Sequence, residues 1–173
     1  FGRANLVPLC QPHIERLASE LGEGVKLNVF DHGEVLVLTA AQGRREYALT
    51  VASGQRQAPH AGAAGKVMLA YQPPEAIDGW LRQPLQAFTE KTITDPQKLK
   101  AELIRVRKQG WAEDRGETGP SIHAFAAPVL SRDHSLAAAL SVPFLAGASE
   151  ARREVIRAAV VRTARAISDE LKS

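Results

Sequence analysis

The sequence has 173 residues, 45% of them hydrophobic and 24% charged, with a net charge of +3. That length suits one domain with a real core. The charge is mild and no dense Lys/Arg tract occurs, so charge makes no case for a nucleic-acid surface, and aromatics at 5% are too few for base-stacking platforms.

Cys10 is the only cysteine, which excludes an intrachain disulfide and a cysteine-rich zinc site. No apolar run approaches a membrane span and no signal-peptide pattern is present. These features fit a cytoplasmic protein. Ile14, Leu17, Ala18 and Leu21 recur at helical spacing, and Gly22 stands where a C-cap glycine would, which predicts a helix ending near Leu21. Pro8 and Pro12 upstream either mark its first turn or kink an incoming linker helix. Cys10 between them reads as a structural thiol.

A hairpin follows: Lys26–Phe30 alternates, Asp31-His32-Gly33 supplies turn chemistry, and Glu34–Leu38 returns. A third strand is expected over about Arg45–Val51, with Tyr47 and Leu49 on one face. Ser53 to Pro59 is a polar loop. It leads into His60-Ala61-Gly62-Ala63-Ala64-Gly65-Lys66-Val67-Met68-Leu69-Ala70, a helix whose first turn carries almost no side chains. The first N–H groups of a helix lack intrahelical acceptors and carry partial positive charge. With Ala and Gly there, a carboxylate can reach the bare amides. The same composition also serves close packing against a sheet. It is not a phosphate loop, since Gly62 and Gly65 are too close together and Val67 follows Lys66 where a hydroxyl is required.

Pro73-Pro74 ends that helix and starts a short one through Leu81, and a loop runs through Pro84 to Thr92. Asp95 as N-cap and Pro96 at the first position open the next helix, with Leu99, Leu103 and Val106 as its buried stripe and Gly110 at its end. Trp111–Asp114 reads as a short strand, 115–120 as a loop, Ile122–Leu130 as a buried strand, and Leu136–Val142 as its hairpin partner. Ser149 caps a final helix whose apolar face is Val155, Ile156, Ala159, Val160, Thr163, Ile167 and Leu171. The hairpins predict a largely antiparallel sheet of about six strands with helices on at least one face.

Enzyme templates fail. There is no G-x-S-x-G elbow and no H-E-x-x-H, and the five histidines are scattered singly. Glu113 and Asp114 are neighbours on a strand and face opposite ways, so they make a poor catalytic pair. The chemistry-bearing features left are the helix start at Ala63 and Ala64, Asp114 at a strand end, and Ser141 in an otherwise apolar strand.

Three separated segments then resemble one family. P-H-A-G-A-A-G-K-V-M-L-A (59–70), T-I-T-D-P-Q-K-L-K-A-E-L-I-R-V-R-K-Q-G-W-A-E-D (92–114) and A-A-P-V-L…A-A-A-L-S-V (126–142) are similar to the effector-binding domain of IclR-type transcriptional regulators. The resemblance spans nearly the whole chain. It implies an α+β, GAF-like (profilin-like) fold, a curved antiparallel sheet flanked by helices, that senses small organic acids. It implies a ligand-sensing domain over 1–173, with 1–12 as the end of a linker helix. The family's winged helix-turn-helix domain, absent from this chain, would contact DNA.

A homodimer or homotetramer, no enzyme activity, no cofactor and no metal are further implications. The rival readings are a stand-alone GAF-like sensor and a small hydrolase using Asp114 and Ser141. Carried over by motif, the ligand-binding residues are Ala63, Ala64, Asp114, Ala124 and Ser141, with Tyr47 and Leu49 as apolar walls. Ala124 stands where the family has a cysteine, Pro143 where it has a second serine, and Ser121 where it has a glycine. The first two changes enlarge the pocket and remove polar groups, so an acid with an apolar or aromatic body is expected.

Overall fold

The structure, a computed structural model, describes residues 3–173. Phe1 and Gly2 of the expected linker-helix end lie outside the described residues. The first helix, α1 (Arg3–Leu21), runs through Pro8 and Pro12. Both prolines are exposed, while Leu6, Cys10, Ile14, Leu17, Ala18 and Leu21 form the buried stripe on the other side. Burial, with Glu170 nearby, pushes the Cys10 thiol up to about 11, as suits an unreactive structural cysteine.

The strands are β1 (Val25–Asp31), β2 (Glu34–Ala41), β3 (Arg56–Gln57), β4 (Ala112–Arg115), β5 (Ile122–Leu130) and β6 (Leu136–Leu145). They form one sheet in the order β3-β2-β1-β6-β5-β4, and every neighbouring pair is antiparallel. The hairpin turn lies where expected, with His32 at φ 52 and Gly33 at φ 77. The remaining helices are α2 (Ala63–Ala70), α3 (Pro74–Leu81), α4 (Pro96–Gln109) and α5 (Glu150–Lys172). Local chemistry sets the bounds of α4: the Asp95 carboxylate accepts from Gln97 N–H at 2.8 Å, and Gly110 ends the helix at φ 84.

Alternation along the strands divides the side chains between two cores. Val25, Leu27 and Val29 of β1, with Phe125, Ala127 and Val129 of β5 and Leu140, Val142 and Phe144 of β6, pack under α1 and α5. Ala112, Ala124, Ala126 and Ala139 face the other way, under α2 and α4. All eight residues of α2 are buried, so α2 is sandwiched between the sheet and α4.

Three expectations are corrected. The third strand is not over 45–51 but at Arg56–Gln57, paired to Val35 and Leu36. In the intervening loop the amide of Gln42 takes the role of a neighbouring strand. Its Oε1 accepts from Val51 N–H at 3.2 Å and its Nε2 donates to Val51 O. Next, β6 runs through Pro143 to Leu145. β1 pairs with β6 only as far as Ser141, so the proline lies beyond that ladder. Finally, Val155 is exposed on α5, whose buried face instead includes Arg153. Arg153 donates to Glu113 at 2.5 Å and lies over the Phe125 and Phe144 rings.

Candidate functional site

The start of α2 supplies donors. Its N-cap is Gly62 at φ 87, and no side chain caps the helix. The first intrahelical bond is Lys66 N–H to Gly62 O, so the amides of Ala63, Ala64 and Gly65 have no acceptor among the described residues. A Cβ on Gly62 would lie 3.3 Å from Gln57 Nε2 and 3.8 Å from Asp114 Oδ2. Those two side chains therefore stand directly beside the helix start.

Asp114 sits on β4 opposite Ala124 of β5. Its Oδ1 accepts from Gly116 N–H at 2.9 Å and Glu117 N–H at 2.6 Å, which folds the following loop back over the strand end. Burial pushes the Asp114 carboxyl up, while those amides and the Lys66 charge pull it partly back. Glu113 faces the other side and binds Arg153 and Arg115, as alternation requires.

Beneath the helix start lies a buried ion cluster. Lys66 is 0% exposed, and its Nζ donates to Glu117 at 2.6 Å, to the carbonyl of Glu113 at 2.6 Å and to Glu102 at 2.9 Å. Burial pulls the Lys66 ammonium down, but Glu117 and Glu102 outweigh it and hold it above the ordinary lysine value. Glu117 Oε1 accepts from Gly62 N–H at 3.3 Å, which ties the cluster to the first peptide before α2.

The sheet floor adds Ser141 on β6, opposite Ala126 on one side and Lys26 on the other. Asn28, fully buried, donates to Ser141 Oγ and to Ala139 O, each at 2.9 Å. Its Oδ1 has no partner among the described residues. A cavity of about 310 Å³ opens beside this floor, lined by Lys26, Val37, Gln55, Arg56 and Gln57. Gln57 links it to the start of α2.

The family model for the C-terminal domain of the bacterial transcriptional regulator IclR matches residues 1–169. The chain belongs to the IclR family. It is 34% identical over 169 residues to the HTH-type transcriptional regulator BhcR of Paracoccus denitrificans, covering 96% of this chain and 60% of that protein. It is 29% identical over 141 residues to the transcriptional repressor IclR of Escherichia coli, covering 80% of this chain and 52% of that protein. The chain thus spans about half to three fifths of these IclR-family relatives, which are transcriptional regulators and not enzymes.

Among solved IclR-family structures, that of Thermotoga maritima IclR superposes with a TM-score of 0.90 at 26% identity, covering 98% of this chain and 69% of that one. An IclR homologue from Microbacterium hydrocarbonoxydans complexed with 4-hydroxybenzoate gives 0.89 at 26% identity, covering 99% and 70%. The α+β architecture with a curled antiparallel sheet is that of the IclR C-terminal domain.

Of the residues singled out by motif, Ala63, Ala64, Asp114, Ala124 and Ser141 share the α2 face of the sheet. Tyr47 is not with them. It is 73% exposed and lines a surface groove with Glu23, Arg45 and Arg152. Leu49 is half-buried on the same loop, its carbonyl beside Gly24. Neither lines the cavity at Lys26, because the expected strand over 45–51 does not form.

Sequence reasoning missed Lys26, Asn28, Gln57, Lys66 and Glu117. Lys26 and Asn28 carried a readable signal as the polar positions of an alternating strand, on the face that α2 covers. Lys66 and Glu117 left none, since their pairing joins a helix to a loop 51 residues away.

Proposed function

We propose that this domain senses a small organic acid on behalf of an IclR-type regulator, with the acid's carboxylate on the Ala63 and Ala64 amides. The observation that carries the reading is the uncapped start of α2, whose amides lack acceptors among the described residues and lie beside a cluster of buried polar side chains. A charge-assisted hydrogen bond to such an amide contributes roughly 1.5–3 kcal/mol. Asp114 Oδ2 offers an acceptor for a hydroxyl on the acid, and Ser141 offers either partner. The homologue complexed with 4-hydroxybenzoate supports an acid of this class, a ring carrying a carboxylate and a hydroxyl. Ala124, Ala126 and Ala139 suit an apolar middle, but Lys26 and Asn28 return polarity to the side where Pro143 removes it.

Effector binding regulates DNA binding only if the acid favours one arrangement of the subunits over another. In this reading the domain works in the cytoplasm as a symmetric homodimer or homotetramer, and DNA is held by a winged helix-turn-helix domain outside these residues. In this reading the first part of α1 ends the helix leading to it. This chain alone should give concentration-dependent association in sedimentation and no salt-resistant, sequence-specific complex in a gel shift. Either a strict monomer or a specific DNA complex would contradict that part of the reading.

The site itself is tested with Ala63→Asp. A thermal-shift and calorimetry panel headed by 4-hydroxybenzoate, with glyoxylate and pyruvate included, should find acids that bind the parent. Like charge at the helix start should abolish their binding while the melting curve stays cooperative. An acid that binds Ala63→Asp as well as the parent has its carboxylate elsewhere.

A further inference from the structure

We propose that Lys26 and Ser141 receive a second anionic group, so that the acid sensed here is a dicarboxylate spanning from the Ala63–Ala64 amides to the floor of the sheet. This rests on the carboxylate reading of the α2 start given above and extends it to the opposite side of the site.

The two residues are direct neighbours in the β1–β6 ladder. Val25, Leu27 and Val29 turn into the α1/α5 core, so Lys26 and Asn28 turn toward α2. Lys26 lines the cavity, and its ammonium has no hydrogen-bond acceptor or ion-pair partner among the described residues. Burial pulls its pKa down, and only the more distant charge of Asp114 opposes this. Ser141 Oγ already accepts from Asn28, and its own proton has no acceptor among the described residues. Two free donors, one of them charged, therefore stand side by side.

No carboxylate among the described residues pairs with Lys26. Asp114 spends Oδ1 on two amides and makes no hydrogen bond or ion pair with the lysine among the described residues. Glu117 and Glu102 are engaged by Lys66. The other cation at the cavity, Arg56, is paired with Asp31 and Glu34. An ammonium taken out of water without a partner is unfavourable, and a ligand carboxylate relieves it. The start of α2 is a separate donor set, joined to the cavity by Gln57, so the two sets match two carboxylates better than one.

The test uses probe pairs that differ by one carboxylate: glutarate against pentanoate, and terephthalate against 4-methylbenzoate. Each is titrated calorimetrically into the parent, Lys26→Met and Ala63→Asp. At least one diacid should bind about tenfold or more tightly than its monoacid. Lys26→Met should erase that preference and leave monoacid affinity in place. Its melting temperature without ligand should hold or rise, because methionine fills the same space without an unpaired charge.

Failure of both diacids to bind, or a preference that survives Lys26→Met, overturns the proposal. An Ala63→Asp protein that still binds both members of a pair refutes the α2 assignment, and the two-ended diacid with it. Loss of binding in Ala63→Asp together with an unchanged preference in Lys26→Met overturns this proposal and leaves the carboxylate reading of the α2 start standing.

Discussion

Lys66→Met should lower folding stability by about 3–5 kcal/mol, because it removes one partner of a buried charge pair and leaves the other behind. In a domain of this size that is a fall in Tm on the order of 10 °C. Glu117, 7% exposed, would keep only the Gly62 amide as a donor. Burial already pushes the Glu117 carboxyl up against the opposing charge of Lys66, and without that charge it rises further. A carboxyl raised in the folded state keeps a proton that the unfolded chain releases near 4.5. Stability is then lost as pH rises through that interval and stays depressed above it.

The deficit of Lys66→Met should therefore be largest at neutral pH and shrink as pH falls toward 4.5. Adding Glu117→Gln should restore part of the loss at neutral pH, since glutamine can still accept from Gly62 without a charge. Denaturant unfolding at several pH values reads all of this. A loss under about 1 kcal/mol, or one independent of pH, would show that the cluster is not the buried ion pair described.

Where the fold was legible, a local group satisfied a local need. Asp95-Pro96 and Gly110 bound α4 because each supplies its own cap, and Asp31-His32-Gly33 turns the hairpin because two of its residues accept positive φ. The third strand failed for the complementary reason. Residues 45–51 have strand-like apolar spacing, but the Gln42 side chain satisfies Val51, and alternation carries no record of such a substitute. Pro143 argued for an end to β6, yet whether a missing N–H matters depends on where β1 stops, a contact between distant parts of the chain.

The candidate site was legible in part. Ala63 and Ala64 announced themselves by what a first turn lacks, Asp114 by a carboxylate at a strand end, and Ser141 by a hydroxyl in an otherwise apolar strand. Lys26 and Asn28 were hidden by the common assumption that the polar face of an alternating strand is the wet one. Alternation says that the two faces differ, not which is covered. Here α2 covers the polar face, and the Asn28–Ser141 hydrogen bond that marks the floor joins residues 113 apart. Tyr47 illustrates the opposite error. A face assigned within a strand that does not form places nothing.

Gly65→Ala separates two effects of opposite sign, and close approach should win. Within a helix, alanine is favoured over glycine by about 1 kcal/mol, so propensity alone predicts a more stable protein. In this fold a Cβ on Gly65 would meet the backbone of Pro59: 2.8 Å from its Cα, 2.7 Å from its carbonyl carbon, and closer still to the oxygen. No flexible side-chain end can swing aside, so α2 and the 59–62 segment must part. Overpacking of this kind costs typically 1–3 kcal/mol or more. The segment that must move leads directly into the Ala63 and Ala64 amides, so acid binding should weaken along with stability. Gly79→Ala is the matching control. It lies in α3, where the nearest atom to an added Cβ is the end of the Arg82 side chain at 3.7 Å, and the substitution should leave Tm unchanged or raise it. Thermal melts of both variants, with calorimetry against an acid that binds the parent, measure the contrast. A Gly65→Ala protein as stable as Gly79→Ala, with binding intact, would show that α2 does not rest on Pro59 as closely as described.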